Sequence, residues 1–150
     1  MSHYMRFFFT SPAPALSRLA ATLPTALPRH SLRHLAPEDA AHEAGLYAGE
    51  TLCAALDLTL PGTPLFTDEI AEFVAALEAG KGTGEVARVR DVLTRCTAVL
   101  AAQILWQGRK TDEVMDDIDP FWDWIAAQHE GLLQADTQGF FEGYDRVLAL

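Results

Sequence analysis

His30 and His34 stand four residues apart, with Asp39, His42 and Glu43 close behind. On one helix, histidines at that spacing can share a metal ion. Here Pro28 and Pro37 bracket the pair, and no His-Glu-x-x-His pattern supplies a scaffold. No metal ligand is therefore assigned. Asp112, Glu113, Asp116, Asp117 and Asp119 form a second polar group. A calcium loop of the EF-hand kind needs alternating acidic ligands, a glycine at its sixth position and a distal glutamate. The segment that follows Asp117-Ile-Asp-Pro120 has no such continuation. Acids there suit helix starts, where they complement the dipole. The third group is aromatic, Phe121-Trp-Asp-Trp-Ile125. On a helix, Phe121, Trp122, Trp124 and Ile125 spread over an arc of about 160°, and His129 falls beside Trp122 and Ile125. Rings that a core does not absorb are typical partner-binding residues.

Nucleophilic and phosphate chemistry find no pattern. There is no Gly-x-Ser-x-Gly elbow. Neither Cys53 nor Cys96 carries the flanking residues of a catalytic cysteine. Gly80-Lys-Gly-Thr-Gly84 lacks the spacing of a phosphate loop. Arg88, Asp91 and Arg95, spaced by three and four, read as an ion network on one helix. No cofactor is implied.

The elements that must position these groups belong to a chain of 150 residues, the length of one domain. Hydrophobic residues make up 49%, enough for a core without disulfides or metals. The formal net charge of −10 argues against nucleic acid and against anionic membranes. It suits a basic protein partner, or solubility alone. Two cysteines make no disulfide framework and fit a reducing cytoplasm. The N-terminal apolar run is too short for a signal peptide, and no run reaches membrane-span length. Abundant alanine, with arginine far outnumbering lysine, suggests a GC-rich bacterial genome.

Along the chain, Tyr4–Thr10 reads as a strand, because its phenylalanines favour a pleated, buried surface. A short helix follows over Ala15–Leu23, then a connector over residues 24–36. A long helix is expected over Pro37–Leu58. Its Glu43, Glu50 and Asp57, spaced by seven, would form one acidic stripe. Thr67 is expected to cap a helix over Asp68–Ala79. The segment Glu85–Trp106 reads as a central helix, apolar on nearly every side beyond Ala98. Its Ala98, Ala102, Leu105 and Trp106 would be covered by other helices of the chain or by a second copy. A short helix over Asp112–Asp117 and another opening at Asp119-Pro120 complete the helices. Gly139 and its polar neighbours break the tail, so Leu132–Ala135 and the residues up to Leu148 read as extended. That tail would pair with the N-terminal strand, which needs a hydrogen-bonding partner.

The expectation is therefore a single α+β domain, mainly helical, with a small sheet built from its two termini; the alternative is an all-α fold. The function that fits is a non-catalytic bacterial interaction module, an adaptor, regulator or toxin-neutralising partner, monomeric or homodimeric. Its partner-binding residues would be Phe121, Trp122, Trp124, Glu43, Glu50 and Asp57. The competing reading is a small-molecule-binding or hydrolytic enzyme, with a groove near Trp122, Trp124 and His129 and carboxylates from Asp112–Asp119.

Overall fold

In the computed structural model, which describes residues 2–35 and 42–150, Tyr4–Phe9 is a strand, β1. Alternation sends Met5, Phe7 and Phe9 to one face of a sheet and Phe8 to the other. Both faces are buried at Phe7, Phe8 and Phe9, which is why these three follow one another without a polar residue. The tail supplies one neighbour, as its extended character predicts. Strand β7 (Gly131–Ala135) pairs antiparallel with β1, with Leu132 opposite Phe8 and Gln134 opposite Arg6. Strands β8 (Gly139–Glu142) and β9 (Asp145–Ala149) continue the meander outward.

The sheet is far larger than the termini alone could make. The remaining strands are β2 (His30–Arg33), β3 (Glu43–Ala48), β4 (Thr51–Thr59), β5 (Thr83–Gly84) and β6 (Ala98–Ile104). Among the described residues nine strands, all paired antiparallel, run in the order β2-β3-β4-β6-β1-β7-β8-β9-β5. The fold is thus a sheet-rich α+β arrangement, and both the mainly helical and the all-α expectations are wrong.

Two misread segments account for the difference. Glu85–Trp106 is not one helix. It is α3 (Val86–Thr94), a short turn through Cys96, and then β6. Strand β6 lies between β4 and β1 near the middle of the sheet. With one face buried and mostly small apolar residues on the other, β6 shows no clear period of two, and periodicity does not separate such a strand from a buried helix. Ala98 and Ala102 are buried within the chain itself. Pro37–Leu58 is not one helix either. Its residues 37–41 lie outside the described part, and the rest forms the β3–β4 hairpin. Gly49 turns it at a φ of 61°, a conformation glycine adopts without strain.

Among the described residues four helices pack on the sheet. Helix α1 (Leu16–Ala26) and helix α4 (Thr111–Gln128) lie on the face of Phe7 and Phe9. Helix α1 continues through Pro24 to Ala26, beyond its expected end at Leu23, and the connector after it contains β2. Helix α4 is continuous where two helices were expected. Proline removes one hydrogen bond, but Val114, Ile118, Phe121, Trp122 and Ile125 form one buried stripe across Pro120. Helix α2 (Pro64–Glu78) and α3 lie on the opposite face, over Phe8, Leu132 and Phe140. Helix α2 starts a turn before its expected cap: Thr63 Oγ1, rather than Thr67, accepts the Phe66 N–H at 3.4 Å. No described helix is long and apolar enough to cross a membrane.

Candidate functional site

The covering of the α2–α3 face is incomplete. These helices pack over β1, β7, β8 and β9, and among the described residues no helix closes the same face over β3, β4 and β6. The result is a groove of about 600 Å³ on the open half of the sheet. Its floor is made of small residues at alternate strand positions, Gly45 on β3, Ala55 on β4 and Ala101 on β6. A side chain on Gly45 would press on Leu52 and Tyr47 at 3.0 Å.

Three carboxylates line the groove: Glu43, Asp57 and Glu69. Glu43 and Asp57 are direct cross-strand partners on β3 and β4. Like charges in that register oppose sheet formation. Burial holds the Asp57 carboxyl above its ordinary range, Glu43 pushes it the same way, and His42 opposes them. Glu69 reaches in from α2, and burial raises its carboxyl despite the nearby Arg6.

Among the described residues Arg6 is the groove's one arginine, and it is already committed. Its Nη1 donates to Gln134 Oε1 at 2.7 Å and to Asp136 Oδ1 at 2.8 Å. Its Nε lies 3.2 Å from Glu69 Oε2, close enough for an ion pair but off the line of a hydrogen bond. Asp136 shows the opposite balance to Glu69. Burial alone would raise its carboxyl, but donors from Gln134, Arg6 and the Tyr4 N–H together hold it low. Arg6 thus neutralises Asp136 well and Glu69 poorly. The groove keeps an excess of negative charge, partly withdrawn from water.

Of the residues expected to bind a partner, Glu43 and Asp57 meet in this groove. Glu50 does not. It sits at the exposed β3–β4 turn, paired with Arg33 at 3.0 Å. Phe121 and Trp122 are core residues, 0% and 3% exposed, so neither projects from the surface, although an edge of Trp122 borders two clefts. Trp124 is half-buried against Phe121, with ring centroids 6.2 Å apart. Arg6, Glu69 and the alanine floor were not anticipated. The floor takes one small residue from each of three strands, Gly45, Ala55 and Ala101, so no pattern within a single segment marks it.

The enzyme alternative meets a different geometry from the one it requires. Trp122 separates two clefts. His129 lines one, of about 600 Å³, while Asp119 lines the other, of about 460 Å³. Trp124 lines neither of them, nor the sheet groove. The carboxylates beside His129 are engaged elsewhere. Asp91 pairs with Arg95 at 2.9 Å, Glu142 with Arg88, and Glu130 lies 3.9 Å from Arg95. Asp123 accepts from the Tyr144 hydroxyl at 2.7 Å. His129 packs edge-on to Phe9, and burial lowers its pKa. No acid–base pair with His129 is assembled among the described residues. The helical ion network is half as expected: Asp91 binds Arg95, while Arg88 turns to Glu85 and Glu142.

The histidines proposed and set aside as ligands are separated. His30 Nε2 donates to the Asp117 carbonyl at 2.7 Å, tying β2 to α4, and His34 Nε2 pairs with the Tyr47 hydroxyl at 2.9 Å. The helix-start acids Asp112 and Glu113 occupy the first turn of α4, and Asp117 accepts from Arg109 at 2.8 Å.

Compared with known proteins, the chain matches no family model, no curated protein and no solved structure.

Proposed function

We propose that this chain is a non-catalytic interaction module whose open sheet groove receives a basic segment of a partner protein. The observation that carries the reading is the cross-strand pair Glu43–Asp57 facing Glu69 over a floor of small residues. Two like charges opposed in a sheet cost stability, and an incoming lysine or arginine turns that cost into binding energy. Small floor residues leave room for a long side chain to lie flat. The net charge of −10 would draw such a partner in. An adaptor, a regulator or a toxin-neutralising protein would each use such a groove, and the unpaired thiols of Cys53 and Cys96 support a cytoplasmic setting.

A lysine- and arginine-containing peptide, titrated by NMR, tests this. The amides of Ala55 and Ala101 should shift in a saturable way. Glu43→Gln and Asp57→Asn should each weaken binding about tenfold. Glu50→Gln removes the same charge at the hairpin tip and should leave affinity unchanged. Equal losses in all three variants would mean attraction to net charge alone and would overturn the reading.

A further inference from the structure

On the covered face, the cleft between α4 and the β1–β7–β8 strands has a composition unlike the groove's. It encloses about 460 Å³, within the range of small-ligand sites, roughly 300–1,000 Å³. Trp106, Trp122, Phe141 and Tyr144 line it, and so do Asp119 and Asp123. Among the described residues no lysine or arginine lines it, and His3 is its one histidine. Tyr144, 77% exposed, reaches from the β8–β9 turn to Asp123 on α4, where its hydroxyl donates at 2.7 Å. Asp119 has no hydrogen bond or ion pair to any described residue, and its charged neighbours Asp123 and Asp116 are both acidic.

Aromatic faces carry negative potential and attract cations, most strongly when water is excluded. Carboxylates without a basic partner do the same. Apolar walls alone would suit any greasy ligand. Rings combined with unneutralised carboxylates select for positive charge. We infer that this cleft binds an organic cation, an alkylated ammonium group whose methyls lie against the rings while Asp119 balances its charge. The site is separate from the sheet groove and stands whether or not a protein partner binds there.

Tryptophan fluorescence during titration with choline tests the inference, with 3,3-dimethyl-1-butanol as the neutral isostere. Choline should saturate the signal in the millimolar range, and the isostere should bind at least about tenfold more weakly. Asp119→Asn and Tyr144→Leu alter a half-buried and an exposed residue. Circular dichroism should show both folded, and each should lose choline affinity about tenfold. Acetylated trimethyllysine amide separates the sources of the group. Tighter binding than choline points to a modified protein side chain, and weaker binding to a free small molecule, the cation site holding in both cases. Equal affinity for choline and its isostere, or no saturation by about 100 mM choline, overturns the inference.

Discussion

The two halves of one sheet face were built to different rules. Under α2 and α3, Phe8 meets Phe73 and Phe140 with ring centroids 5.5 and 5.7 Å apart, and it is fully buried. Across the same face, on β3, β4 and β6, Gly45, Ala55 and Ala101 leave the surface flat and lined by carboxylates. Face-covering aromatics stabilise the fold. Small and like-charged residues do not, and Glu43 opposite Asp57 works against it. Residues that oppose stability where a neighbouring region shows the stable solution point to selection for something other than folding.

The contrast can be broken from either side. The largest effect is expected in the covered half. Phe8→Ala should cost about 3–5 kcal/mol, since it empties the space between two rings and two helices. Denaturant unfolding reads this directly, and a cost below about 1 kcal/mol would mean that the two halves do not differ in kind.

At the boundary between the halves, Asp136→Ala should cost about 1–3 kcal/mol, because it strips acceptors from Arg6, Gln134 and the Tyr4 N–H. The pH dependence has a definite sign. The folded carboxyl lies below its ordinary value of 3.8, so its contribution is complete above that pH and is lost as acid protonates the folded state. Wild type and variant should therefore converge in stability as the pH falls below 3.8 and through the folded-state pKa.

In the open half the sign reverses. Asp57→Asn should stabilise the protein by about 0.2–1 kcal/mol, the range for relieving a cross-strand like-charge pair. The folded carboxyl holds its proton to higher pH than the ordinary 3.8, so ionisation subtracts from stability as pH rises through that window. The gain over wild type should grow as the pH rises above 3.8 and level off once the folded carboxyl is ionised. A destabilised Asp57→Asn would mean that the aspartate serves the fold. The smallest effect belongs to Ala55→Ser on the exposed floor, within about 0.5 kcal/mol, the ordinary range for a surface change.

Some of this was readable from the residues. Three consecutive phenylalanines announce a strand, and the need to pair its backbone places a partner in the broken, glycine-bearing tail. Both follow from local chemistry and hydrogen-bond accounting. The stripe Ile70, Phe73, Val74 and Leu77 likewise marks α2, because period and exposure agree there. The rest depended on what lies far away in sequence. Glu43, Glu50 and Asp57 fit one face of a helix, yet the same spacing is the mirror symmetry of a hairpin, with Glu50 at the turn and the other two opposite each other. Ala98–Ile104 is apolar but for Gln103: β4 and β1 flank it, one face packs into the core, and the other is covered at Val99 but opens into the groove at Ala101 and Gln103. Small apolar residues on the open face blur the period of two, so only pairing decides between strand and helix. Tertiary structure alone brought Glu69 and Arg6 to the carboxylate pair, because strand register and helix docking place residues that no local pattern connects.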